Sequence, residues 1–364
     1  MKVSAGHDPG TGRLIRKSLY FKSEQEARTE LRRITSAVDD GTYSEPSKMR
    51  LSAWLDIWLS EYTGNVKELT HASYEMVIRV HIKPALGAMT LSALRPHEIQ
   101  TFYNRLQKGK KDVKPLSPKT IKNIHGVLHR ALDQAMMIGY IKQNPCMGVM
   151  LPRLERAEIK PLIDEQVDTF LDAIEGHEYE TLLTVVMYTG MRQSEAMGLT
   201  WGCVDFKKGT IYIDKQLIHE KKKGGLYKFA PPKNDKPRYV TPAPFIMKML
   251  DGVRLRQKED KLRTGGVWQN PMNLVFTDMI GGHYRHSTLQ HSFKRVVTSI
   301  GLPDRRFHDL RHTYAVLSIQ AGVDIKTIQE SMGHFSASFT LDVYGHVTER
   351  MQKEAAARKH KKKA

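Results

Sequence analysis

The chain has 364 residues, with 57 Lys plus Arg against 39 Asp plus Glu, a formal net charge of +18 and a pI near 9.7. At roughly 150 residues per domain this length holds two or three domains, each able to bury its own core, which excludes a disulfide-stapled miniprotein. Hydrophobic residues at 40% and charged residues at 26% exclude disorder along most of the length. The cation surplus selects a polyanion as the large partner, nucleic acid ahead of acidic lipid. Cys146 and Cys203 offer neither a disulfide framework nor a Cys-rich zinc site and fit a reducing compartment. No run approaches the ~18 apolar residues of a membrane span, and no signal-peptide core follows Met1, so a soluble, cytoplasmic protein is expected.

In chain order, strand-like runs at 2–5 and 14–21 flank Asp8-Pro9-Gly10, the signature of a hairpin. Ser23 then caps a helix expected through Val38, with Gly41 just beyond it. This gives a small β-plus-α module over about 1–45. A Pro-containing linker at 44–48 leads to helices predicted at 51–62, 70–81, 95–108 and 117–138 from apolar residues three and four apart. Together these four form a compact all-α unit, 50–152. Lys119 and Lys122 sit at the start of the last helix, where backbone N–H groups also favour phosphate; a solvated helix end is the competing reading.

Charged residues from Arg153 to Lys160 read as an interdomain link. Beyond Pro161 helices are predicted at 165–174, 179–188, 244–262, 287–300, 309–320 and 325–332. β-rich runs lie at 210–213, 226–230, 238–240 and 274–277. The strands are few and Gly-rich phosphate loops are missing. A mainly helical domain with a small antiparallel sheet is therefore expected rather than a doubly wound sheet. The fold class is mainly α and multidomain, closing with a basic tail, 350–364.

Three strings in the third domain carry chemistry: Thr189-Gly190-Met191-Arg192-Gln193-Ser194-Glu195, His308-Asp309-Leu310-Arg311-His312-Thr313, and Met332-Gly333-His334 followed by Tyr344. Each is weak alone. In this order, in a basic multidomain chain, they resemble the tyrosine recombinases, also called phage-type integrases, over about 50–349. The N-terminal module is similar to the arm-site DNA-binding module of integrases from phages and conjugative elements. Met1 runs into its first strand without the aromatic-rich opening such modules often show, which leaves room for a missing strand.

Position by position, the resemblance implies phosphate-binding arginines at Arg192 and Arg311, the two family histidines at His308 and His334, and the nucleophile at Tyr344. It implies a general-acid lysine on a β-hairpin, assigned to Lys233 with Lys228 and Lys236 close by, and a supporting acid at Glu195, for which an i,i+3 ion pair with Arg192 is the plain alternative. It further implies no cofactor and no metal, and double-stranded DNA attachment sites held by a tetramer. A host bending protein and an excision factor are the accessory partners, and no membrane is involved. The setting is the cytoplasm of a bacterial host, at the nucleoid.

Physical chemistry supports the same cast. Attack on a phosphodiester gathers negative charge on the non-bridging oxygens, which guanidinium forks hold bidentately at any working pH. A tyrosine nucleophile keeps the bond energy in a phosphotyrosyl ester, so resealing needs no ATP. His308 and Arg311, three residues apart, share one helix face near its N-terminus. Two rival readings exist. The first, a zinc hydrolase on His308-Asp309-Leu310-Arg311-His312, is opposed by the fixed charge of Arg311 between the two histidines. The second, an inactive DNA-binding protein on the same fold, is opposed by the complete constellation.

Overall fold

A computed structural model describes residues 2–7, 14–18, 20, 23–39, 48–109, 114–155, 159–220, 226–233 and 235–333. The chain divides into two units, Met1–Arg156 and Ala157–Ala364. Among the described residues no helix is long and apolar enough to cross a membrane.

In the first unit, β1 (Lys2–His7) and β2 (Leu14–Ser18) form the expected antiparallel hairpin, with Lys2 opposite Ser18 and an irregularity between Ser4 and His7. Helix α1 (Glu24–Asp39) starts where the Ser23 hydroxyl accepts the Glu26 N–H at 3.2 Å. Next come α2 (Leu51–Glu61) and a helix longer than expected: α3 (Glu68–Val77) runs through a π turn, Ile78–Ile82, into α4 (Lys83–Leu86). Pro84 has no N–H to give the preceding turn, and the wider π turn absorbs that break without ending the helix. After α5 (Pro96–Lys108), α6 (Pro118–Met137) begins with Ser117 accepting the Thr120 N–H and Pro118 in the first turn. These helices close over Trp54, which is fully buried and donates its indole N–H to the Ala131 carbonyl at 2.8 Å.

The second unit is built around α8 (Glu180–Thr189), buried on nearly every side, with α7 (Asp164–Ile174) before it and the short α9 (Gln193–Met197) after it. Its interior threonines donate their hydroxyls to the preceding turn, Thr184 to Glu180 O and Thr189 to Val185 O, so burial leaves neither without a hydrogen bond. Strands β3 (Val204–Asp205), β4 (Thr210–Ile213) and β7 (Arg238–Val240) form one antiparallel sheet in the order β3-β4-β7, while β5 (Gln216–Glu220) and β6 (Leu226–Ala230) form a separate antiparallel pair. The remaining helices are α10 (Pro244–Thr264), α11 (His286–Ser299), α12 (Phe307–Gln320) and α13 (Ile325–Met332).

Two expectations need correction. The run 274–277 is not a strand: it makes isolated bridges, Thr200 with Leu274 and Thr277 with His283. Its carbonyls are taken by side chains instead, with the Gln257 amide donating to Leu274 O and Val275 O and Asn270 donating to Leu274 O. Apolarity there reflects burial in the helical core rather than a ladder. Conversely, β5 is not among the strands expected from the sequence, yet it is the partner of β6.

Candidate active site

The site begins where α8 stops. Gly190 ends that helix in the left-handed region, φ +65°, and a Cβ there would lie 2.5 Å from the Tyr314 ring, so only glycine fits. Its carbonyl accepts from Arg311 Nη1 at 2.5 Å. Two residues on, Arg192 leads into α9, and Glu195 reaches back to accept the Arg192 N–H at 2.9 Å. The i,i+3 ion pair is present as well, with Arg192 Nη1 2.6 Å from Glu195 Oε1.

Glu195 is buried and holds a second cation. Arg238, on β7, places a two-pronged fork on it, Nη1 to Oε1 at 3.1 Å and Nη2 to Oε2 at 2.7 Å. Burial alone would raise the carboxyl pKa. The hydrogen bonds and charge of Arg238, followed by the charge of Arg192, outweigh it and hold the pKa at about 2.

The same arginines close the end of α13. Arg238 Nε donates to Ser331 O at 2.6 Å, Arg311 Nη2 donates to Met332 O, and Arg192 Nη2 donates to Gly333 O at 3.2 Å. Three consecutive carbonyls at the negative end of a helix thus receive three guanidiniums. Gly333, at φ +63°, terminates the helix. Packing of Ile328 and Met332 against Ala315, Val316 and Ile319 fixes α13 on α12, while Asp324 caps its other end by accepting the Thr327 N–H at 2.9 Å.

Helix α12 presents His308 and Arg311 one turn apart, as their spacing predicts. Arg311 is 1% exposed. Desolvation by the surrounding protein, then the charges of Arg311 and Arg192, push the His308 imidazole pKa down to about 4, although the residue itself is exposed. His308 is therefore neutral at pH 7 and able to accept a proton. His312, met edge-to-face at 4.9 Å between ring centroids, is lowered to about 4 by burial and by His308. Asp309, the residue a zinc hydrolase would need as its base, instead caps its own helix by accepting the Arg306 N–H at 2.8 Å. A cavity of about 550 Å³ opens beside His308, lined in part by Gln193, Lys294, Arg305 and Arg306.

The structure brings Arg192, Glu195, His308 and Arg311 together. Lys233 lies in a turn closed by the Asp235 N–H on Pro232 O at 2.9 Å. That turn leads from β6 to β7, strands of different sheets, rather than forming the tip of a hairpin. Of the neighbouring lysines, Lys228 is 3.4 Å from Glu220. Lys119 and Lys122 belong to the other unit, in the first turns of α6. His334, Tyr344 and the basic tail lie outside the described residues. Arg238 was missed, although a sequence signal existed: it sits two residues before buried Val240, on the inward face of a short strand.

The model of the phage integrase family matches residues 160–351, and that of the phage integrase N-terminal SAM-like domain matches 50–107. The chain belongs to the phage integrase family. It is 32% identical to a tyrosine recombinase XerC-like protein of Caldanaerobacter subterraneus, over 97% of this chain and 93% of that one. It is 26% identical to the ICEBs1 integrase of Bacillus subtilis, over 97% and 94%. Its fold is that of the Tn1549 transposon integrase, solved with transposon right end DNA (TM-score 0.69, 21% identity, 85% of this chain and 100% of that one). It is also that of lambda integrase, solved as a tetramer bound to a Holliday junction (TM-score 0.58, 20% identity, 91% and 92%). The protein is a tyrosine recombinase, an enzyme of site-specific DNA recombination.

Proposed function

We propose that the chain integrates and excises a phage or conjugative element by cutting and rejoining duplex DNA at attachment sites. Arg192 and Arg311 hold the non-bridging oxygens of the scissile phosphate. The Tyr344 oxygen attacks phosphorus, the P–O5′ bond breaks, and a 3′-phosphotyrosyl ester forms. The phenol, with a reference pKa of about 10, passes its proton to neutral His308, and Lys233 protonates the departing 5′-oxygen. His334 hydrogen-bonds the phosphate. The observation that carries this reading is the arginine cluster itself: Arg192 and Arg238 on the buried Glu195 carboxylate and Arg311 on the carbonyl at the end of α13, beside an imidazole kept neutral.

In this reading 1–45 binds arm-type sites and 50–152 is the core-binding domain, with Lys119 and Lys122 on phosphates. Residues 161–349 are catalytic, and 350–364 form a basic tail. Four protomers hold two duplexes through a Holliday junction, assisted by a host bending protein and an excision factor at the bacterial nucleoid. Tyr344→Phe removes one oxygen, so it should retain the gel shift on attachment-site DNA and lose the covalent adduct on denaturing gels. A persistent adduct mapped to another tyrosine would overturn the nucleophile assignment.

A further inference from the structure

Arg238 has no part in the cleavage scheme, yet it occupies the centre of the charged cluster. Its side chain is 8% exposed, against 18% for Arg192, and both pair with the fully buried carboxylate of Glu195. A buried carboxylate must be countered, and either guanidinium would serve. Arg238 is the more enclosed of the two and makes the two-pronged contact, whereas Arg192 keeps more of its side chain in solvent, where a phosphate arrives.

We propose that Arg238 is a positioning residue that takes up the charge of Glu195 and so leaves the Arg192 guanidinium available to the scissile phosphate. This rests on the reading of the cluster as the phosphate site. With Arg238 present the group formed by Arg192, Arg238 and Glu195 carries one net positive charge. Without it, Glu195 claims Arg192 outright, that charge falls to zero, and the positive charge this group offers a phosphate is lost. A purely structural duty is the competing account, because Arg238 also donates to Ser331 O at the end of α13.

The two accounts separate through charge. The measurement is single-turnover adduct formation by the full-length chain on a nicked attachment-site duplex at saturating DNA, with urea unfolding of each variant. Arg238→Gln should form adduct on the order of 10²-fold more slowly, as for the loss of an oxyanion donor. Arg238→Lys, which keeps the charge, should stay within about tenfold of wild type. The double variant Arg238→Gln with Glu195→Gln removes the charge to be countered as well and should recover to within about tenfold. A folded double variant as slow as Arg238→Gln alone would sink the proposal, as would an Arg238→Gln rate close to wild type. If Arg238→Gln does not fold, the other two decide: a rate within about tenfold in both sustains it, and a loss of about 10²-fold in either overturns it. Failure of the wild-type chain to form any adduct would instead refute the recombinase scheme beneath it.

Discussion

Trp54 and Glu195 are both fully enclosed, yet their surroundings are built from opposite materials. Around Trp54 the helical unit packs Leu51, Leu55, Ile82, Ile121 and Leu128, and the indole N–H needs a single carbonyl. Around Glu195 the second unit buries a carboxylate, two arginine forks and helix-end carbonyls. The first arrangement stabilises the fold in proportion to apolar area. The second removes ions from water at several kcal/mol each and offsets that only through geometry, so it contributes little net stability. What it produces is guanidinium groups already oriented for the phosphate proposed to bind there, and preorganised charge is worth most in a site that excludes water.

The comparison breaks most visibly at Trp54. Trp54→Ala should cost about 3–5 kcal/mol, the range for emptying a large aromatic from a packed core. Because no titrating group takes part in that loss, the difference from wild type in urea unfolding should be the same at pH 5 and pH 7. A pH-dependent difference would mean that the apolar core is coupled to charge after all.

Arg311→Lys strikes the other material. An ammonium keeps the charge but cannot serve Gly190 O and Met332 O together, nor present a planar fork to phosphate. Adduct formation should fall on the order of 10²-fold, about 2.7 kcal/mol in barrier. A near-normal single-turnover rate would show that the position needs positive charge and nothing more.

Titration sharpens the contrast next. His308 and His312 are lowered from 6.5 to about 4 in the folded chain, by burial first and by neighbouring cations or histidine second. Between those values the unfolded chain binds protons that the native chain refuses. The stability these two histidines contribute to the second unit, mainly through the buried His312, is therefore fully present above pH 6.5 and lost as pH falls toward 4. Glu195, lowered from 4.5 to about 2, adds a further loss in the same direction across that lower window. His312 is the more enclosed of the pair, so His312→Leu should flatten the fall in urea midpoint between pH 6.5 and 4, and an unchanged slope would remove it from the account.

Legibility in the sequence divides along similar lines. Periodic apolar residues mark the helices, and the alternation in Thr210–Ile213 marks β4 to the residue. The His308 and Arg311 pair is legible because three residues of spacing already imply one helix face. β5 is not legible, because in Gln216–Glu220 the apolar Leu217 and Ile218 are adjacent rather than alternating. The π turn before Pro84 breaks the helical period that would have disclosed it. For Arg238 the alternation with Val240 marks an inward position, but its partners, Glu195 and Ser331, are 43 and 93 residues away, and nothing local announces them.

The smallest effect lies at Ser117. Its hydroxyl accepts the Thr120 N–H at 3.2 Å and satisfies one of the unpaired donors in the first turn of α6. Pro118, following directly, already has its φ set for a helix and lacks the donor that would otherwise be orphaned, so the cap is supported by covalent geometry as well. Ser117→Ala should therefore cost about 1 kcal/mol or less in urea unfolding. It should leave adduct formation at saturating DNA unchanged, because the cap belongs to the unit held by apolar packing and lies outside the arginine cluster. Lys119 and Lys122 stand in the turns this cap begins; if they hold phosphates as proposed, fraying there should loosen that hold and lower the salt dependence of binding, by close to one unit of slope for each phosphate released. An unchanged salt slope in a variant whose cap is demonstrably weakened would show that this helix end faces solvent and not DNA.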